Sequence, residues 1–230
     1  MSQLSWKMFN EIASTYDRVN RIISLGMDQK WRRQVAYNLP VKKNLRILDL
    51  ATGTGDQLLS LFQHGPAISK ASGLDLSEQM LAIAKEKFAK TIYKDKTELL
   101  HADAQKIPFP NQTFDAVTCS FGIRNVPNPL AMLQEVYRVL KPQGKCLILE
   151  FSLPPYPLRG MYLIYLRHIL PRVGAFFSSS LQAYTYLNQT IESFPSGDGF
   201  AALMRKSNYN KIVLQPMALG AVTLYTGVKS

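Results

Sequence analysis

Residues 45–56 constrain the fold more than any other part of the chain. Residues 45–50 are a short, mainly apolar run with Asp49 near its end, and Gly53 and Gly55 follow closely. Such a run predicts a strand that is buried on both faces, as in a parallel sheet. Glycines let the backbone turn sharply and approach a ligand without a Cβ atom in the way. We therefore expect a ligand at the carboxyl end of this strand.

The glycine turn argues against a dinucleotide as that ligand. The dinucleotide pattern needs a third glycine or alanine at the position where this chain has Leu58. Asp56 is predicted to cap a helix that starts at Gln57, and it adds negative charge where a pyrophosphate would bind. Both features suit a nucleoside that carries positive charge and no phosphate, such as S-adenosylmethionine.

Two more acids follow predicted strands. Asp75 ends a second strand, where a carboxylate can accept hydrogen bonds from both ribose hydroxyls. Asp103 lies just beyond a short third strand, residues 98–101, and can bind an adenine amino group. Each acid alone is equally typical of a surface turn. The repeated placement after successive strands favours a binding site that contains Asp49, Asp75 and Asp103.

The rest of the chain alternates between helical and strand-like segments, which predicts βαβ units and an α/β fold with a mostly parallel sheet. A helical segment with a break at residues 24–26 precedes the first strand. The later predicted elements are a helix at 77–90, a strand at 114–120, a helix at 130–140, a strand at 145–151, a helix at 199–207 and a closing hairpin at 211–214 and 222–228.

We interpret residues 1–230 as a single domain with two helical additions. Residues 1–40 are predicted to form a helical cap, and residues 154–195 a helical insertion before the last two strands. The insertion is apolar and aromatic. It fits equally well a segment packed on the sheet, a lid over a lipidic substrate or a membrane-surface contact.

Charge and composition limit the kinds of binding partner and the cellular location that we expect. The chain has 27 Lys and Arg against 16 Asp and Glu, a net charge of +11, which favours an anionic surface, either phospholipid or nucleic acid. A solvated basic face explains the charge equally well. No apolar run is long enough to span a bilayer, and no secretory pattern opens the chain. With Cys119 and Cys146 interpreted as reduced core residues, we expect a cytoplasmic protein without a metal site.

Several stretches together resemble a known family. Residues 48–56 resemble motif I of class I S-adenosylmethionine-dependent methyltransferases, which have a Rossmann-like fold. More narrowly, the chain is similar to the C-methyltransferases of menaquinone and ubiquinone biosynthesis. The stretches that carry this resemblance are residues 16–20, 107–110, 121–126, 138–142, 149–152, 184–187 and 191–195. The resemblance covers nearly the whole chain and implies a seven-stranded, mostly parallel sheet with helices on both faces. It departs at Thr52, where glycine is usual.

The resemblance implies a reaction and a set of site residues. A methyl group moves from the sulfonium of S-adenosylmethionine to a ring carbon of a prenylated quinol, and positioning carries most of the rate enhancement. Arg124 would favour the phenolate, Asn125 would orient a water molecule, and Tyr16 would hydrogen-bond a quinol oxygen. The implied cofactor-binding residues are Asp49, Gly53, Thr54, Gly55, Asp75, Asp103, Ala104 and Ser120. The proton acceptor is not assigned.

Three alternatives stay open at this point. The chain could methylate another lipid or small molecule, methylate nucleic acid, or bind the cofactor without catalysis. Nucleic acid is not expected, because residues 154–195 are more apolar than such a groove requires. Between the quinones, the compact length and the lack of a targeting sequence favour demethylmenaquinol over the benzoquinol of ubiquinone synthesis. A contact with anionic membrane is expected, and a homodimer is left open.

Overall fold

The computed structural model describes residues 5–172 and 181–230. Within these residues a single sheet contains seven strands in the order β3-β2-β1-β4-β5-β7-β6. The strands are β1 Leu45–Leu50, β2 Ile68–Asp75, β3 Thr97–His101, β4 Phe114–Ser120, β5 Leu140–Phe151, β6 Tyr209–Met217 and β7 Val222–Lys229. The first five strands pair in parallel, and β7 runs antiparallel to both β5 and β6. The predicted seven-stranded, mostly parallel sheet is confirmed.

Helices cover both faces of the sheet. They are α1 Ser5–Ile23, α2 Met27–Tyr37, α3 Asp56–His64, α4 Glu78–Ala89, α5 Pro129–Val139, α6 Leu158–Ile164, α7 Leu181–Ser193 and α8 Asp198–Lys206, and α6 continues into a π-helical segment at Tyr165–Ile169. One core cluster joins α5 and α8 to the sheet through residues such as Val136 and Phe200. The other joins α2 and α3 to the opposite face through Val35 and Leu61.

The cap and the insertion meet above the carboxyl edge of the sheet. Leu166, Leu170 and Ile191 form a buried cluster from the insertion, and Ile23 of α1 packs against it. The same α1 contacts Leu187 of α7 through a second small cluster around Val19. Helices α1 and α2 lie within the predicted cap, and α6 and α7 within the predicted insertion. Residues 1–4 and 173–180 of those two predictions lie outside the described residues.

Two local predictions were wrong. Helix α3 begins at Asp56, and its N-cap is Gly55, with φ 83° and no capping side chain. Asp56 does not cap the helix, because its carboxylate pairs instead with Arg21 and Lys87. Strand β5 begins at Leu140, five residues before the predicted start, because Leu140 already pairs with Phe114 before a bulge in the ladder.

Candidate active site

A cavity of about 680 Å³ lies at the carboxyl ends of β1 to β4. This is the edge of an open α/β sheet where ligands bind. Five of the predicted cofactor residues line it, namely Gly53, Asp75, Asp103, Ala104 and Ser120. Apolar side chains complete the wall, including Leu76, Met80 and Val126.

The two glycines of the turn have different surroundings. Both adopt left-handed backbone angles, with φ 56° at Gly53 and φ 83° at Gly55. A Cβ atom placed on Gly53 would meet no protein atom within 4 Å, so this position borders open space. A Cβ atom on Gly55 would lie 2.8 Å from the ring of Phe88. Gly53 therefore shapes the cavity, whereas Gly55, which does not line it, allows α3 and α4 to pack closely.

Asp75 is arranged to accept further hydrogen bonds. Its Oδ2 accepts the N–H of Gly53 at 2.8 Å, and its Oδ1 accepts the N–H of Ser77 at 2.8 Å. Burial raises the pKa of this carboxyl, although the backbone donors oppose that rise. An ionised carboxylate has about four acceptor positions, so these two bonds, with a further contribution from the N–H of Leu76, leave part of its acceptor capacity unused. The remaining acceptor capacity suits a pair of hydroxyl groups on a ligand in the cavity.

Asp49 and Thr54 lie outside the cavity lining, so the structure does not place them as direct cofactor ligands. Asp49 is 1% exposed, and its oxygens accept hydrogen bonds from Thr52 at 2.7 Å and Thr118 at 2.6 Å. Burial raises its pKa to about 6, against those two hydrogen bonds. Thr54 donates to Asp17 of α1 at 2.6 Å. Asp49 therefore stabilises the glycine turn through Thr52, and Thr54 links the turn to α1.

The far end of the cavity carries polar groups beyond β3 and β4. Asp103 accepts the N–H of Gln105 at 2.8 Å and keeps acceptor capacity for a ligand amino group. Ser120 donates to Gln57 of α3 at 2.8 Å. Asn125 also lines this cavity, and its buried Oδ1 has no hydrogen-bond partner among the described residues. The structure thus places Asn125 on the predicted cofactor side and not in the second cavity described next.

The second cavity is larger, about 1150 Å³, and mainly aromatic and aliphatic. It lies between the cap, the insertion and the ends of β4 and β5. Phe9, Tyr16 and Phe121 line both cavities, so the two spaces meet at these residues. Its apolar lining includes Ile12, Val19, Ile23, Trp31, Phe151, Tyr162, Tyr165, Leu166, Leu170, Leu187 and Ile191.

Tyr16 lies at the junction of the two cavities, and its hydroxyl group is protonated. Burial raises its pKa, although the nearby Arg124 and Arg32 and a hydrogen bond with Asn20 oppose that rise. A tyrosine that stays neutral can donate its proton in a hydrogen bond to a ligand oxygen. The predicted Tyr16 and Arg124 therefore come together in the aromatic cavity.

Arg124 forms a buried ion pair with Glu150, a partner that sequence reasoning did not identify. Its Nη1 lies 2.7 Å from Oε1 of Glu150, and the two side chains are 5% and 0% exposed. Its guanidinium also lies 5.3 Å from the ring centroid of Phe151, and its buried Nε has no hydrogen-bond partner among the described residues. Glu150 thus balances the charge of Arg124. An acid inside the apolar residues 147–151 was the available signal.

Helix α2 contributes two more charged residues that were missed, Asp28 and Arg32. They are four residues apart, which puts them on one face of the helix, and both line the aromatic cavity. The guanidinium carbon of Arg32 lies 5.4 Å from the ring centroid of Phe121. Asp28 accepts hydrogen bonds from Arg21 at 2.9 Å and from Ser24 at 3.0 Å. Their spacing beside Trp31 was the only sequence signal.

The described part of the chain contains no metal-binding cluster and no membrane-spanning helix. No group of three or more His, Cys, Asp or Glu side chains there is placed to hold a metal ion. Cys119 and Cys146 are free and buried, and burial raises the pKa of each thiol. None of the helices in residues 5–172 and 181–230 combines the length and the apolar character needed to span a bilayer.

The whole chain matches one family description. The model of the ubiE/COQ5 methyltransferase family aligns with residues 2–229. This chain belongs to the ubiE/COQ5 methyltransferase family. Its two cavities are therefore the candidate active site of a methyltransferase, as the sequence predicted.

Relatives in this family carry two kinds of name. The ubiquinone/menaquinone biosynthesis C-methyltransferase UbiE of Geotalea daltonii is 40% identical over 224 residues, which are 97% of this chain and 95% of that protein. A demethylmenaquinone methyltransferase of Clavibacter sepedonicus is also 40% identical, over 96% of this chain and 89% of the relative.

Solved structures agree with the fold. A methyltransferase from Thermotoga maritima, described as SAM-dependent and a possible histamine N-methyltransferase, superposes with a TM-score of 0.69. It is 21% identical and covers 98% of this chain and 99% of its own. This likeness shows the class I methyltransferase fold and nothing about the substrate.

Proposed function

We propose that this family member transfers a methyl group from S-adenosylmethionine to a ring carbon of a prenylated quinol, with demethylmenaquinol as the preferred substrate. The observation that carries the proposal is the junction of a small cavity at the carboxyl edge of the sheet with a large aromatic cavity at Tyr16 and Phe121. The alternatives are the benzoquinol intermediate of ubiquinone synthesis and another lipidic small molecule.

The smaller cavity fits S-adenosylmethionine better than a phosphorylated nucleotide. Asp75 has acceptor capacity for the ribose hydroxyls, and Asp103 for the adenine amino group. Leu76 and Met80 offer apolar surface to the adenine ring. The charged side chains in the described lining of this cavity are the acids Asp75 and Asp103, which disfavour a pyrophosphate. When bound, the sulfonium compound supplies an electrophilic methyl group.

The larger cavity fits an aromatic ring with an isoprenoid tail. Its aromatic side chains, including Trp31, Phe121 and Phe151, offer stacking surface to a flat ring. The aliphatic residues of α1 and the insertion offer apolar contacts to the tail. A bicyclic naphthoquinol gains more of this surface than a single ring does, which favours the menaquinone precursor. Relatives with both quinone names keep the benzoquinol as the second candidate.

The polar groups of the larger cavity can bind and activate a quinol. Tyr16 donates a hydrogen bond to one quinol oxygen. The positive charges of Arg32 and Arg124 favour the phenolate form, in which the ring carbon beside the oxygen is a stronger nucleophile. The surrounding apolar residues exclude water, which strengthens these electrostatic interactions. The work of the protein is thus to place a partly ionised quinol next to the cofactor cavity.

The quinone content of cells tests this proposal. Deleting the gene should cause demethylmenaquinone to accumulate, as measured by mass spectrometry of extracted isoprenoid quinones. Expressing the intact chain should restore menaquinone, and expressing the Asp75→Asn variant should restore less. Loss of ubiquinone with unchanged menaquinone would favour the benzoquinol instead. Unchanged profiles of both quinones would contradict a role in quinone methylation.

A membrane contact accompanies this function, because prenylated quinols reside in the bilayer. The exposed side chains Met161, Ile164 and Ile169 lie along the insertion, and Arg167 and Arg172 are exposed beside them. Basic residues near an anionic surface each contribute about 1 kcal/mol to binding before screening by salt. We propose that this segment docks on anionic lipid, with the protein otherwise in the cytoplasm.

Vesicle flotation tests the docking. The chain should bind anionic vesicles at low salt, bind them less at high salt and not bind neutral ones. The double change Met161→Ser and Ile164→Ser should reduce binding. The matched control changes two exposed apolar residues elsewhere, Val41→Ser and Ile92→Ser, and should leave binding intact. Equal losses in both double variants would contradict docking through the insertion.

A further inference from the structure

The aromatic cavity contains one group that is suited to accept a proton. Methylation at a ring carbon needs the neighbouring quinol hydroxyl to lose its proton, whose ordinary pKa is near 10. The titratable side chains that line the cavity are four tyrosines, two arginines and one aspartate, in the part of the chain that the structure describes. They are Tyr16, Tyr162, Tyr165, Tyr186, Arg32, Arg124 and Asp28.

Six of these seven side chains are poor bases. Arginine stays protonated in proteins and has no acceptor. Tyrosine hydroxyls are protonated at neutral pH because their ordinary pKa is about 10. Burial raises that pKa further for Tyr16, Tyr162 and Tyr165. Asp28 is therefore the one carboxylate in the described lining of this cavity.

Asp28 is held in place with acceptor capacity to spare. It lies in the first turn of α2 and is 5% exposed. Oδ2 accepts from Nη1 of Arg21 at 2.9 Å, and Oδ1 accepts from Oγ of Ser24 at 3.0 Å. These two hydrogen bonds fix the position of the carboxylate, and each oxygen retains a free lone pair. Arg32, on the same face of α2, lines the cavity with no carboxylate partner within 4 Å among the described residues.

We propose that Asp28 is the general base of the methyl transfer, an assignment that rests on the quinol-methylating function proposed above. The quinol O–H bond breaks and its proton moves to Asp28. The ring carbon forms the new bond to the methyl group, while the electron pair of the broken S–C bond stays on sulfur. The ring then loses the proton of the methylated carbon to water, and the oxygen recovers a proton from Asp28. One proton is released per methyl group transferred.

The surrounding charges stabilise the phenolate that this proton transfer produces. While Asp28 is ionised, a phenolate next to it would be repelled. Once Asp28 takes the proton, that repulsion disappears, and the cationic Arg32 and Arg124 remain to stabilise the phenolate. Tyr16 donates to the same ring system. Because Arg21 from α1 also binds Asp56, it stays anchored when Asp28 becomes neutral.

Variants of the ion pair separate a base from a structural carboxylate. Asp28→Asn should lower kcat by about a hundredfold or more, with cofactor affinity unchanged by calorimetry. Asp28→Glu should recover part of the rate. Arg21→Gln removes the same ion pair but keeps the carboxylate, so it should cost less than about tenfold. Equal losses in Asp28→Asn and Arg21→Gln would show that only the ion pair matters and would overturn the proposal.

A more acidic quinol provides the decisive comparison. A fluorinated quinol ionises with less help, so the ratio of wild-type to Asp28→Asn rates should shrink to below about tenfold. An unchanged ratio would contradict proton transfer to Asp28. The wild-type rate on the ordinary quinol tests the proposed function separately. If the wild-type protein does not methylate the quinol, the proposed function is wrong, and this conclusion does not depend on the variants.

Binding of nitronaphthol, a coloured phenol, gives a readout without the methyl donor. The charged groups that face it are Asp28, Arg32 and Arg124, with Arg21 behind Asp28. An ionised Asp28 raises the pKa of a neighbouring phenol. Asp28→Asn should therefore lower the apparent pKa of the bound probe by about one unit, as read from its absorbance. The same pKa in both proteins would show that Asp28 does not face the phenol oxygen and would overturn the proposal.

Discussion

Arg124 and Glu150 form an ion pair with 2.7 Å between Nη1 and Oε1, and both side chains are almost fully buried. Glu150 also accepts the backbone N–H of Phe151 at 2.8 Å. The pair joins the loop after β4 to the end of β5, next to the aromatic cavity. Glu150 therefore balances the charge of Arg124 at contact distance, whereas Arg32 forms no ion pair within 4 Å among the described residues.

Removing the acid from this pair should destabilise the chain. Glu150→Leu leaves Arg124 buried without its counter-charge, which typically costs about 3–5 kcal/mol in the free energy of unfolding. Urea denaturation measures this loss. The matched control is Glu192→Leu, because Glu192 pairs with Arg167 at the surface, where an ion pair contributes little. Similar losses in the two variants would contradict the importance given to the buried pair.

Asp75 should determine cofactor affinity. Asp75→Asn removes the charge and one acceptor, so S-adenosylmethionine should bind about tenfold to a hundredfold more weakly by calorimetry. Asp95→Asn, at an exposed position, serves as the control. Because burial raises the pKa of Asp75, wild-type affinity should also fall as the pH drops through that raised pKa. Unchanged affinity in a folded Asp75→Asn variant would remove Asp75 from the site.

Substitution of the two glycines of the turn should affect different properties, cofactor binding at Gly53 and stability at Gly55. Alanine at either position adopts a left-handed conformation that costs about 1–2 kcal/mol. Gly53→Ala adds a methyl group into open cavity, so cofactor binding should suffer more than stability. Gly55→Ala adds one against Phe88, so stability should suffer more. Calorimetry and urea denaturation of both variants measure the two effects, and an identical pattern in both would contradict the cavity boundary assigned here.

Asp49 should make stability depend on pH. Its pKa is raised from 3.8 to about 6 in the folded chain. Since the folded state binds the proton more tightly, this contribution is fully present below about pH 4 and is lost as the pH rises through about 6. Relative to Asp49→Asn, the wild type should lose on the order of 3 kcal/mol between those limits. Urea denaturation at about pH 5 and about pH 8, between which on the order of 1.5 kcal/mol of this loss falls, checks this, and a constant difference between the two proteins would contradict it.

The sequence was informative where function follows the strand pattern. Asp75 ends β2, and Gly53 and Asp103 follow β1 and β3 within three residues, and parallel strands bring their carboxyl ends to one edge. The prediction that these residues lie together therefore needed only the order of the elements. The resemblance added Tyr16 and Arg124, which do meet in the aromatic cavity.

The remaining site residues depend on side-chain direction, which the pattern does not show. Asp49 and Thr54 lie within the glycine motif, yet both point away from the cavity, toward Thr118 and Asp17. Asp28 and Arg32 come from a helix whose rotation is set by packing of Trp31 and Val35 on the sheet. Glu150 is recognised as a site residue only from its pairing with Arg124, a loop residue 26 positions earlier, and the sequence pattern does not show that pairing.

Labelled methyl transfer by the purified chain tests the central claim most directly. The chain is incubated under anaerobic conditions with methyl-labelled S-adenosylmethionine and a short-tailed demethylnaphthoquinol, and the product is analysed by mass spectrometry and NMR. The label should appear as a methyl group on the ring carbon beside a hydroxyl. Label on the quinol oxygen, or no transfer to any quinol while the cofactor binds, would contradict carbon methylation of a quinol by this protein.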